Sequence, residues 1–113
     1  MRLLTSVMVD TYAGRLINIH PSLLPSFPGT NAIPQALNYG VKLTGATVHF
    51  VDGGMDTGAI IAQQSIEIES NATVESLAKG IHAIEQELYP RVVSWFAQGC
   101  VVVNDRQVTI LPL

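Results

Sequence analysis

Three prolines, Pro21, Pro25 and Pro28, follow directly on the apolar run "LINIH", and no other feature narrows the folding of this chain as much. Proline fixes φ and has no N–H, so neither a helix nor a paired strand continues through such a segment. "RLINIH", Arg15 to His20, therefore predicts a short buried strand built on Leu16, Ile17 and Ile19, stopped at Pro21. Residues 21 to 30 are expected to form a stiffened loop. Alternate residues of a strand leave it on one side, so Asn18 and His20 share a face. An Asn amide and an imidazolium both donate hydrogen bonds and could serve one oxygen that gains negative charge. Equally, both could be satisfied polar residues at a strand end. A rigid loop favours the first reading, because it lowers the cost of ordering a site.

Further elements follow from punctuation and period. "PQALNYG" predicts a short helix opening at Pro34 and ending at Gly40. "GATVHFV", from Gly45, predicts a strand, "DGGMDTG" a glycine-rich loop, and Ala59 to Ile68 another strand with one wet face. Thr73 is placed to cap a helix, with Glu75 in its first turn. Val74, Leu77, Ala78, Ile81, Ile84 and Leu88 then recur at helical spacing. Pro90 is expected to kink or divide this helix and Gly99 to close it. "CVVVNDRQVTI" reads as a closing hairpin with Asn104 and Asp105 near its turn. The order predicts an α/β layer, a mixed β-sheet of three or four strands with one long helix and a closing β-hairpin. Residues 1–113 are expected to form a single domain.

Composition sets the function classes. Hydrophobic residues make up 48% and charged residues 13%, so the chain builds a core and exposes a weakly charged surface that a further segment, a partner or a large ligand would cover. A net charge of -3 with no Lys/Arg cluster argues against nucleic acid as the main partner. Cys100 stands alone, which excludes a disulfide framework within one chain and suggests a small buried hydrophobe. No run approaches the roughly 18 apolar residues of a membrane helix. A soluble, cytoplasmic protein is the expectation.

His49 precedes the glycine-rich loop, and Asp52 and Asp56 flank Gly53 and Gly54. Aspartate beside glycine usually makes turns. Yet a loop so rich in glycine also lets a planar ligand approach the backbone. An aspartate beside His20 would hold that ring protonated. Three scattered histidines lack metal-ligand spacing, so no metal is expected.

Taken together, "NIHPSLLPSFPG" and "GATVHFVDGGMDTGAII" closely resemble the formyltetrahydrofolate-dependent formyltransferases. Within that family the chain looks most like the branch whose acceptor is the amine of glycinamide ribonucleotide, in de novo purine biosynthesis. The resemblance runs from Met1 nearly to the C-terminus, and "AIEQELYPRVVSWFAQG" matches the family's late helix. It implies that Asn18, His20 and Asp56 are a catalytic trio, with His49 in a supporting role. It implies 10-formyltetrahydrofolate as co-substrate, surrounded by Met1, Arg2, Leu3, Leu4 and by Val51, Asp52, Gly53, Gly54, Met55 and Asp56. It implies contacts of Asn18, Glu85 and His82 with the ribonucleotide, although relatives often carry Gln where His82 stands.

The same resemblance implies a departure. Family members have a preceding layer with a substrate-phosphate loop, which this sequence does not contain. The chain is thus expected to be the C-terminal, folate-binding and catalytic part of a formyltransferase fold. Pairing with an N-terminal half, or self-association through an exposed sheet edge, is the expected consequence. Three alternatives stay open. Formyltetrahydrofolate deformylase shares the trio but carries another histidine where Pro21 stands. Methionyl-tRNA formyltransferase shares "SLLP" but is larger. A non-catalytic fragment that binds folate or a partner is the third.

Overall fold

The computed structural model describes residues 16–51 and 56–112. Their element order is β1 (Leu16–His20), α1 (Ala32–Tyr39), β2 (Leu43–Val51), β3 (Ile60–Glu67), α2 (Val74–Ala97), β4 (Val101–Asn104) and β5 (Gln107–Ile110). The expected α/β layer is present, with five strands in two sheets and two helices among the described residues. One sheet has the order β1-β2-β3, and β4-β5 is a separate hairpin. Every pairing among these strands is antiparallel.

β2 is the central strand, and its seven interior residues are all buried. Its pleat separates two chemistries. Ala46, Val48 and Phe50 face α2, whose Leu77, Ile81, Leu88, Tyr89, Val92 and Phe96 complete the core with Ile17 and Ile61. Phe50 and Phe96 meet edge to face at 5.9 Å between ring centroids. Thr47 and His49 lie on the opposite face of the strand. Register carries that division onto β1: Ile17 pairs with Phe50 and Ile19 with Val48, while Asn18 pairs with His49 and His20 with Thr47. A shift between Val48 and His49 breaks the β2–β3 ladder beside the polar face. Such bulges re-aim side chains.

Several boundaries differ from the sequence expectation. β1 is only half buried: Leu16 is 38% exposed and Asn18 is exposed as well. α1 opens at Ala32, two residues before Pro34, with Asn31 in the left-handed region at φ 60°. Pro34 still falls in the first turn, where an N–H has no helical partner to lose. Gly40, at φ 88°, ends the helix and donates its N–H to the Ala36 carbonyl.

α2 begins as expected. Thr73 and Ser76 form a reciprocal capping box, at 3.1 Å from the Ser76 N–H to Thr73 Oγ1 and 2.9 Å from the Thr73 N–H to Ser76 Oγ. Pro90 does not divide it: the helix runs 24 residues through that position. Leu88, Tyr89, Val92 and Phe96 are buried on both sides of the proline, and their packing outweighs one missing backbone bond. Cys100 is buried, as expected of a small apolar side chain. No helix among the described residues is long and apolar enough to cross a membrane.

Candidate active site

The polar face of β1 and β2 meets the loop after β2 at Asp56. This residue sits in the left-handed region at φ 57°, a conformation that Asp tolerates better than most residues. Its carboxylate lies between two imidazoles. Oδ2 is 3.5 Å from Nδ1 of His20, and Oδ1 is 3.5 Å from Nε2 of His49. Both rings are buried, His20 at 6% and His49 at 2% exposure. Oδ2 also accepts the Gly29 backbone N–H at 2.7 Å, a charge-assisted bond. The proline loop thus grips the aspartate directly.

That loop is held by more than its prolines. Thr47 Oγ1 donates to the Ser22 carbonyl at 2.8 Å and accepts the Leu24 N–H at 3.1 Å and the Gln63 amide at 3.0 Å. Gln63 also donates to the Leu24 carbonyl at 2.9 Å. The Ser22 hydroxyl reaches the Ser26 carbonyl at 2.6 Å and that of Phe27 at 3.3 Å. Phe27, with φ at 51°, turns the same carbonyl onto Nε2 of His20 at 2.8 Å.

A carbonyl only accepts, so Nε2 of His20 carries a proton and Nδ1 is the nitrogen turned to Asp56. The 3.5 Å separation there lies at the long limit of hydrogen-bond range. Asn18 and His20 do lie on one face, but they differ in setting. Asn18 is exposed, whereas His20 is buried with both ring nitrogens directed at protein groups. Chemically, the site offers a carboxylate that can take a proton and an imidazole that can carry one. At its rim stands an amide able to donate.

The other candidate residues fall elsewhere. Glu85 and His82 meet each other on α2, with Oε1 and Nδ1 3.6 Å apart, and His82 is largely exposed. Val51 ends β2 and is 43% exposed. Met1, Arg2, Leu3, Leu4, Asp52, Gly53, Gly54 and Met55 lie outside the described residues. Sequence reasoning missed Thr47, Ser22, Gln63, Gly29 and Phe27. For Thr47 a signal existed: it stands two residues before His49 on the same strand, hence on the same face. Among the described residues, no group of three or more His, Cys, Asp or Glu side chains is arranged to hold a metal ion.

An apolar cleft of about 510 Å³ opens beside Asp56, walled by Leu24, Pro25, Pro28, Thr57, Gly58 and Ile60, with Arg106 at its rim. The Arg106 guanidinium donates to the Gly58 carbonyl at 3.3 Å, tying the β4–β5 turn to this loop.

A family profile described as "Formyl transferase" matches residues 1–93. Phosphoribosylglycinamide formyltransferase of Bacillus subtilis is 53% identical over 93 residues, 82% of this chain and 48% of that protein. The crystal structure of glycinamide ribonucleotide transformylase 1 from Symbiobacterium toebii superposes with a TM-score of 0.86 at 47% identity, covering 93% of this chain and 50% of that one. A formyltetrahydrofolate deformylase from Pseudomonas syringae superposes with a TM-score of 0.84 at 32% identity, over 94% of this chain and 36% of that one. The chain therefore spans about half, or less, of the length of these relatives.

Proposed function

This chain belongs to the formyl transferase family, and from that premise we propose that it carries the folate-binding and catalytic part of a cytoplasmic glycinamide ribonucleotide formyltransferase. The observation that carries the reading is the Asp56 carboxylate set between His20 and His49, on the sheet face that also bears Asn18. Identity supports the transferase over the deformylase, at 53% to the Bacillus relative against 32% to the Pseudomonas one.

In the proposed reaction the ribonucleotide amine attacks the formyl carbon of 10-formyltetrahydrofolate. The new C–N bond forms, the carbonyl oxygen becomes an oxyanion, and the bond to the folate nitrogen then breaks. His20, held through Nε2 by the Phe27 carbonyl with Nδ1 3.5 Å from Asp56, is the proposed donor to that oxyanion. Asn18 supplies a second donor from the rim. Donors preorganised in this way contribute about 3–4 kcal/mol each to such transition states. Asp56 relays the proton lost by the attacking amine, through a water, to the departing folate nitrogen. Met1 to Leu4 and Val51 to Asp56 surround the folate, and Glu85 and His82 contact the ribonucleotide. The phosphate grip comes from a further half of the protein or from a partner subunit.

The test is formyl transfer from 10-formyl-5,8-dideazafolate, followed by absorbance. The chain is assayed alone and fused behind the N-terminal half of the Bacillus relative. Release that needs glycinamide ribonucleotide, and that His20→Ala lowers by at least about 100-fold, is the expected result. Release without the ribonucleotide would make it a deformylase. A folded fusion that releases nothing would overturn the reading.

A further inference from the structure

His49 has one nitrogen accounted for and one not. Its Nδ1 lies 2.9 Å from the Phe50 carbonyl, which can only accept, so Nδ1 carries a proton. In a neutral ring Nε2 would then hold a bare lone pair. That atom is buried and meets no hydrogen-bond partner among the described residues. What it faces is Asp56 Oδ1 at 3.5 Å, which when ionised is also only an acceptor. Two acceptors facing each other in a buried site are unfavourable, and a buried polar atom without a partner costs more still.

His20 repeats the pattern on the other carboxylate oxygen, its Nε2 proton taken by Phe27 and its Nδ1 turned to Oδ2. Asp56 itself also accepts the Gly29 N–H on Oδ2. Three groups thus meet with too few protons if both rings are neutral.

We propose that His49 is a second cationic partner of Asp56: it carries protons on both nitrogens, and its Nε2–H anchors Oδ1 so that Oδ2 stays aligned on His20. The backbone carbonyls of Phe27 and Phe50 enforce this arrangement, because each fixes which nitrogen its ring can turn to the carboxylate. His49 is by this account a positioning residue, acting on substrate only through Asp56. The proposal rests on the formyl-transfer reading for its catalytic consequence, while its structural content stands apart from it.

The deciding experiment is long-range proton–nitrogen NMR of the chain with 15N-labelled histidine at neutral pH. His82→Gln assigns the exposed ring. Both nitrogens of His49 are expected to resonate as protonated, and Asp56→Asn is expected to return Nε2 to the unprotonated position, since an asparagine amide can itself donate. A wild-type spectrum with Nε2 unprotonated overturns the proposal, and that measurement needs no variant to fold. So does a doubly protonated ring that Asp56→Asn leaves unchanged. In the fusion assayed above, His49→Leu should lower kcat by on the order of 10- to 100-fold with KM little changed, the effect of misplacing a reacting group. His49→Gln, which keeps a donor facing Oδ1, should recover part of that loss. If the NMR result holds while formyl transfer is absent, the functional reading fails and the arrangement of His49 does not.

Discussion

At the scale of single residues, a threonine hydroxyl makes more of this site than any proline does. Thr47 Oγ1 takes part in three hydrogen bonds, all to the loop or to the side chain that pins it. Thr47→Val keeps the shape and removes the oxygen, leaving the Leu24 N–H and the Ser22 carbonyl buried without partners. The expected cost is about 2–3 kcal/mol, in line with orphaned buried polar groups, and urea denaturation measures it. Because the loop supplies Gly29 and Phe27 to the site, His20 amide shifts should move in the same variant. Asn18, His20 and Asp56 could be named as candidates because the two family-like stretches that carry them are each contiguous in the sequence. Thr47 was not singled out, since a threonine in a β-branched strand looks like strand propensity alone.

Among the elements, the loop after β2 depends on a close approach that only glycine permits. A Cβ at Gly58 would overlap the Phe50 carbonyl, so the backbone there must lie directly against β2. Gly58→Ala should cost about 1–3 kcal/mol by overpacking, read as a lower thermal midpoint. It should also weaken the Asp56–His20 contact, because Asp56 lies only two residues away. The start of α2 offers a separable test. Thr73→Ala should destabilise by about 1 kcal/mol, the usual worth of an N-cap. Ser76→Ala should cost little more on top of it, since the two side chains form one reciprocal box. Chemical denaturation of the two single variants and the double decides this. The capping signal was legible from Thr73 and the apolar period that follows. Pro90 misled, because helix propensity is local and the burial of Leu88, Tyr89, Val92 and Phe96 is not.

At the scale of the described residues as a whole, α2 packs on one face of the three-stranded sheet and the candidate site lies on the other. Phe96 is 3% exposed and contacts Phe50 on the central strand, near the C-terminal end of α2. Phe96→Ala should cost about 3–5 kcal/mol, seen as a loss of cooperativity or of the folded state in thermal unfolding. The hairpin should loosen with it, since Val101, Val103, Val108 and Ile110 pack against the same core.

By itself the sequence determined the class of fold, the order of the elements and the family, because hydrophobic period, turn residues and contiguous motifs are all local. It also determined which residues could carry chemistry. The tertiary structure alone decided what those residues face. Strand pairing set Asn18 against His49 and His20 against Thr47. A left-handed Phe27 turned a carbonyl onto one ring nitrogen, and Gly29 reached across 27 positions to the Asp56 carboxylate. Such contacts join segments far apart in the chain and depend on angles of a few backbone atoms. No residue pattern encodes them until the sheet has paired and the helix has packed on it.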